Sequence, residues 1–214
     1  MNDIPFYPNR KDNLHCFEAC LKSALKYFFL KEDYSWQKID KITQKKRDKL
    51  SWPMAGLNYL ANKQIEILLI DSFPYHKLAK EGIKFLKSIW PEEKMRQESI
   101  KELKLAIQSA QEMIEKPNIK IKVRESSIEE LIRLLTLYEI IIVDINSKTI
   151  YGKKGFSPHS VIVKDITEGK VVFNDPGLPP KRNVKVDCKV FEKAWQEAGK
   201  SAIALRKKHP PTCG

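Results

Sequence analysis

The stretch HCFEACLKSALKYFFL at 15 to 30 sets two cysteines, Cys16 and Cys20, at the start of an amphipathic helix, and HSVIVKDI at 159 to 166 opens a β-branched run on a histidine. A thiol attacks a carbonyl as its thiolate, and both a helix N-terminus and a neighbouring imidazolium stabilise that anion. Cys16 occupies the first turn. Cys20 lies a full turn inside on the apolar face, where free cysteine is usually core. Asp175 ends the run KVVFND, and Thr167-Glu168-Gly169 supplies a hairpin turn between that run and HSVIVKDI. Positions 159 and 175 then fall on adjacent antiparallel strands, where a carboxylate can orient an imidazole and stabilise its charged form. Cys16, His159 and Asp175 therefore read as nucleophile, base and orienting acid. Two other readings of the cysteines stay open. One is a zinc site on a shared helix face, which lacks a second ligand pair; the other is two small residues packed in a core. Cys188 and Cys213 are isolated, His15 reads as a solvent-facing neighbour of the helix start, and His76 and His209 sit in polar or proline-rich surroundings that give them no role.

The elements that must hold these residues follow from periodicity. Phe17, Leu21, Ala24, Leu25 and Phe28 keep a three-to-four spacing over a helix from about 16 to 30. Ser51-Trp52-Pro53 begins a short helix through MAGLNYLAN, and QIEILLID at 64 to 71 reads as a strand. The proline-punctuated, aromatic stretch to Pro91 leads into a long charged helix at about 92 to 116 with a seam of Ile100, Leu103, Ile107, Ala110 and Ile114. Ser127 with Glu130 forms a capping box before LIRLLTLY. EIIIVDIN, HSVIVKDI and KVVFND are strands, VFEKAWQEAG is a helix ended by Gly199, and SAIALR is a last strand. The layout is α+β, one unit over 1–214 with a helical insert at 72–125.

Composition narrows the classes of function. With 42% hydrophobic and 31% charged residues the chain reads as globular, and no apolar run reaches the ~18 residues needed to span a bilayer. The start MNDIPFYPNRKDNLHC lacks the pattern of a secretory signal, so a reducing cytoplasm and free thiols are expected. The net charge of +12 is spread through segments such as EEKMRQESIKELK, where lysine alternates with glutamate as on solvated helix faces, so no nucleic-acid partner is expected.

The same residues resemble the C39-like cysteine peptidases, whose pattern is D-C-G-x-A-C-L, then much later H-x-V-V-V, a turn and a strand ending in D-P. His15-Cys16-Phe17-Glu18-Ala19-Cys20-Leu21 is similar to the first element, His159-Ser160-Val161-Ile162-Val163 to the second, and Asn174-Asp175-Pro176-Gly177 to the third. The resemblance touches residues 9 to 70 and 128 to 206. It implies a papain-like fold in which the cysteine-bearing helix packs on a late antiparallel sheet, and it implies cleavage of a peptide or amide bond through a thioester, without metal or cofactor. A peptide or protein substrate is the implied partner. Phe17 stands where the family usually has glycine. For the family's oxyanion-hole glutamine the counterparts are Arg10 at the expected place, Asn9 with one extra loop residue, and Asn13 as a third choice. Acyl transfer or deamidation by the same triad, and a non-catalytic interaction module on the same fold, are the alternatives.

Overall fold

The computed structural model describes residues 3–208; Cys213 and His209 lie outside them. Helix α1 (Cys16–Phe28) is buried on every side from Cys16 to Leu25, which only a helix inside the molecule can be. It is followed by α2 (Trp36–Ile42), α3 (Met54–Asn62), β1 (Ile65–Ile70), α4 (Tyr75–Glu81), α5 (Ile83–Ile89), α6 (Glu92–Gln97), α7 (Ile100–Glu115) and β2 (Ile119–Lys122). The second half comprises α8 (Ile128–Leu137), β3 (Ile140–Asn146), α9 (Ser147–Ile150), β4 (Pro158–Thr167), β5 (Lys170–Asp175), β6 (Lys181–Asp187), α10 (Cys188–Gln196) and β7 (Ala202–Lys207).

One sheet orders the strands β2-β1-β7-β3-β4-β5-β6. The β1–β2 pair is parallel and every other pair is antiparallel. Both faces are covered. Ile67, Leu69, Ile140, Ile142 and Ile162 pack with α1, α3 and α7, while their alternates Leu68, Ile70, Ile141, Val143 and Val161 pack with α8 and α10, as a side-chain period of two requires. Helix α1 lies on β4. Strands β3 and β4 set Asp144 opposite Ser160 and Ile145 opposite His159. The hairpin from β4 to β5 turns on Glu168 and Gly169, both left-handed at φ 52° and 72°, the conformation a tight hairpin demands of its two central residues.

The structure departs from the periodicity in places with identifiable causes. The charged helix at 92 to 116 is two helices, because Glu98 and Ser99 are extended. The proline-punctuated stretch to Pro91, read as part of the helical insert, holds α4 and α5, which meet at Gly82. Strand β6 was hidden by KRNVKVD, a polar edge strand whose charges guard an open edge. In α7 the buried residues are Leu103, Ala106, Ala110 and Met113, packed against α3 and α4; Ile107 and Ile114 flank them and Ile100 is 65% exposed. The seam is thus rotated toward Ala106 and Met113. Ser127 accepts from Glu130 N at 3.2 Å, but the Glu130 carboxylate turns to Arg124 and Ser126 instead of back to the cap. No described helix is long and apolar enough to cross a membrane.

The rotated seam can be measured. Leu103→Ala is expected to lower the unfolding free energy by about 2–5 kcal/mol through the cavity it leaves, whereas Ile100→Ala should change it by less than about 0.5 kcal/mol in the same denaturant titration. Equal effects would place the seam where the periodicity alone put it.

Candidate active site

Cys16 is the first residue of α1, and the preceding His15 makes no side-chain cap bond to the helix. The first N–H groups of the helix are therefore open toward the space in front of the thiol, with the positive end of the helix dipole behind them. The approach loop is held by Asn9, whose Oδ1 accepts from His15 N and Arg10 N, both at 2.8 Å. Asn9 N donates to the Pro176 carbonyl at 2.6 Å, which ties this loop to the turn after Asp175.

His159 begins β4 and Asp175 ends β5. The two strands bring His159 Nε2 within 2.6 Å of Asp175 Oδ1. That leaves Nδ1 free of Asp175, and Cys16, which lines the same cavity as His159, acts on the ring's charge. Asp175 is further held by Gly177 N at 2.7 Å and by the Tyr151 hydroxyl on its other oxygen. Burial works against a charged imidazole, but the bond to Asp175 and the contact with Cys16 outweigh it and raise His159 to about 10. Burial likewise opposes the Asp175 carboxylate, and the His159 and Tyr151 bonds nevertheless hold it below its ordinary range. The pair is an imidazolium–carboxylate over the neutral range.

A second chain of bonds leaves Cys16 in another direction. Its Sγ donates to Ser160 Oγ at 3.8 Å, and Ser160 Oγ donates to Asp144 Oδ1 at 2.5 Å. Cys20 Sγ donates to the Ser160 carbonyl at 3.5 Å, so this thiol has a partner inside the core. Burial, then the neighbouring Cys16 and Asp144, push the Cys20 thiol well up. Two cavities flank His159. One of about 130 Å3 is shared by Cys16, His159, Ser160, Asp71, Tyr75 and Asp144. The other, about 450 Å3, is shared by His159, Asp175, Gly177, Asn13 and Tyr151.

The structure thus brings Cys16, His159 and Asp175 together and treats the loop residues differently. Arg10 Nη1 is engaged by Asp40 at 3.1 Å. Asn9 lies against the helix start, with its Nδ2 donating to Asn13 Oδ1 at 3.1 Å. His15 is not solvent-facing: it is buried between Asp12 at 2.9 Å and Asp40 at 3.4 Å. Phe17 is buried too, its ring lying against Gly56 of α3, where even an added methyl would come within 3.3 Å. Among the described residues no three His, Cys, Asp or Glu side chains converge as a metal site would require. Tyr151, Ser160 and Asp144 were missed by sequence reasoning. Only Ser160 carried a signal, as the neighbour of His159 in its strand.

No protein-family model and no curated protein matches the chain. Solved structures do. The peptidase domain of Streptococcus ComA, a bi-functional ABC transporter involved in a quorum-sensing pathway, is similar with a TM-score of 0.55 at 12% identity, over 96% of this chain and 100% of that one. A protein from Bacillus anthracis described as a C39-like peptidase is similar with a TM-score of 0.53 at 14% identity, over 97% of this chain and 96% of its own. The chain has the papain-like fold of C39 peptidase domains.

Two measurements test the site. A methyl on Gly177 would come 2.8 Å from Asp175 Oδ1 and 3.3 Å from His159 Nε2, so Gly177→Ala is expected to cost about 1–3 kcal/mol by forcing the pair apart and to move the His159 imidazole titration seen by NMR. An unshifted titration would show that the pair tolerates the methyl. The second is pH dependence. A histidine raised from 6.5 to about 10 stabilises the fold fully below 6.5, and that contribution is lost as the pH rises through about 10. Asp175, lowered from 3.8, contributes above that pH and loses its contribution as the pH falls through its folded value. The melting-temperature gap between the native protein and Asp175→Asn should therefore be widest between these limits and close toward pH 10; a gap independent of pH would contradict the pairing.

Proposed function

We propose that the protein is a cysteine peptidase-like hydrolase that cleaves a peptide or amide bond through a thioester. The observation that carries this reading is an imidazole bonded to a buried carboxylate that holds three hydrogen bonds, in the wall of the same cavity as a thiol at a helix N-terminus. In this reading the thiol proton already sits on His159 as the imidazolium when Cys16 Sγ adds to the carbonyl carbon, and that imidazolium then protonates the departing amine. Water, activated by the freed imidazole, hydrolyses the thioester and returns the thiol. Asp175 keeps Nε2 occupied and the ring in plane. The oxyanion is steadied by the open N–H of Cys16 together with a loop amide. Asn9 serves better than Arg10, whose guanidinium is taken by Asp40, and the Asn13 amide beside His159 extends the same set. If an amine in place of water takes the acyl group, the same site performs acyl transfer.

The assignment separates two chemically similar residues. Cys16→Ser is expected to abolish the rapid alkylation by iodoacetamide of the peptide carrying positions 16 and 20, faster in the native protein than alkylation at Cys188 or Cys213, and any hydrolysis of the protein's substrate, with little change in melting temperature. Cys20→Ser should leave alkylation in place, because this thiol is enclosed and its pKa is raised. Mass spectrometry of the labelled peptide reads the result. Label that survives Cys16→Ser and vanishes with Cys20→Ser would move the nucleophile; label indifferent to both would leave the interaction module as the better account.

A further inference from the structure

The cavity beside Cys16 has a charge that the rest of the chain does not lead one to expect. Of 39 lysines and arginines in the protein, none lines it, while Glu18, Asp71 and Asp144 all do. These three come from α1, the end of β1 and the middle of β3, so no local run of sequence accounts for their meeting. Asp144 is raised by burial first and by the nearby charge of Asp71, against the pull of the Ser160 bond and of His159. Apart from His159, no basic side chain lines the cavity.

Glu18 is the independent observation. Its side chain is fully buried, and neither carboxylate oxygen has a hydrogen-bond partner among the described residues. The other polar residues of the same buried helix are satisfied: Lys22 Nζ donates to the Tyr34 carbonyl and Ser23 Oγ to the Ala19 carbonyl. A buried carboxyl with neither oxygen bonded is a cost that a bound donor removes. The rest of the wall mixes apolar residues, Leu50, Leu69 and Ile203 among them, with the serines Ser51, Ser160 and Ser201. Such a wall around a buried carboxyl suits an aliphatic stem ending in a cation, and the cavity measures about 130 Å3. The carboxylates do not converge as they would on a metal ion, which leaves an organic cation.

We propose that this cavity is a specificity pocket for a lysine or arginine side chain of the substrate, with Glu18 as the carboxyl that meets the cation and Asp71 and Asp144 adding negative charge around it. Because Cys16 and His159 line the same cavity, the cationic residue lies near the carbonyl that Cys16 attacks; in that respect the inference rests on the proposed function.

Binding tests it without requiring turnover. Cys16→Ser protein is titrated calorimetrically with acetylated peptide amides that differ only in carrying lysine or norleucine at one position. The lysine peptide is expected to bind about tenfold or more tightly, as one partly desolvated charge pair would give, with the advantage shrinking as salt is added. Adding Glu18→Gln or, separately, Asp144→Asn should reduce the ratio between the two peptides, a readout that normalises for general damage to the site. Equal affinities, a preference for norleucine, or no measurable binding of either peptide would overturn the proposal. Butylammonium binding as tightly as the lysine peptide would overturn the side-chain assignment in favour of a free amine. Iodoacetamide labelling of the native protein runs alongside: an inert Cys16 defeats the catalytic reading by itself and leaves the lysine-to-norleucine ratio readable.

Discussion

The packing of α1 on β4 is the constraint from which the site follows. A helix enclosed from Cys16 to Leu25 has no solvent face, so its position against the strand is fixed by close packing on all sides, not by one stripe. The bond from Cys20 Sγ to the Ser160 carbonyl lies inside this contact. One turn earlier on the same face stands Cys16, and one residue earlier on the same strand stands His159. The register of helix on strand therefore sets the meeting of thiol and imidazole, with no flexible segment between them. Enclosure also imposes a demand on every polar residue of α1, and Glu18 is the one whose demand the protein leaves unmet.

The acid side of the site is stapled to the thiol side by backbone. Asn9 N reaches the Pro176 carbonyl while Asn9 Oδ1 holds His15 N, so the loop before the nucleophile is tied to the turn after Asp175. Gly177 completes this arrangement: its N–H holds Asp175 Oδ1, and its missing side chain lets the turn lie against the imidazole. The raised histidine and lowered aspartate follow from this arrangement, since against burial each charge is stabilised by the other and by the bonds that hold Asp175.

What could be read from the sequence was local or carried by one turn. The helix start at Cys16, the β-branched run behind His159, the two-residue turn at Glu168-Gly169 and the strand ending in Asp175 each announce themselves within about ten residues, and together they suffice to set three side chains facing one another. The polar edge strand β6 could not be read because its alternation is charged against half-buried valine. The break at Glu98-Ser99 stayed hidden because nothing in those residue types forbids helix. The acidic cavity was invisible for a different reason. Glu18, Asp71 and Asp144 lie far apart in the chain, and each looks like an ordinary solvated carboxylate until the tertiary fold encloses it. His15 misled for the same reason, since burial between Asp12 and Asp40 depends on α2 folding over the helix start.

The helices α6 and α7 bear on the site through the segment that separates them from it. Lys49 reaches Glu98 at 2.8 Å and Glu102 at 3.2 Å, pinning the chain just before α3 to the break between the two helices. Trp52 stacks on Trp90 at 5.9 Å from the same segment. A cavity of about 380 Å3 lies between these parts, and Leu50 and Ser51 line both it and the acidic cavity beside Cys16. The two spaces thus share a wall whose position depends on an ion-pair cluster and an aromatic stack contributed by residues 90–102. A half-exposed ion pair contributes little to stability by itself, but here it holds the outer side of the segment whose Leu50 and Ser51 line both cavities. The charged helices α6 and α7 therefore bear on the wall of the acidic cavity, while the thiol's own hydrogen-bond partner, Ser160, comes from β4.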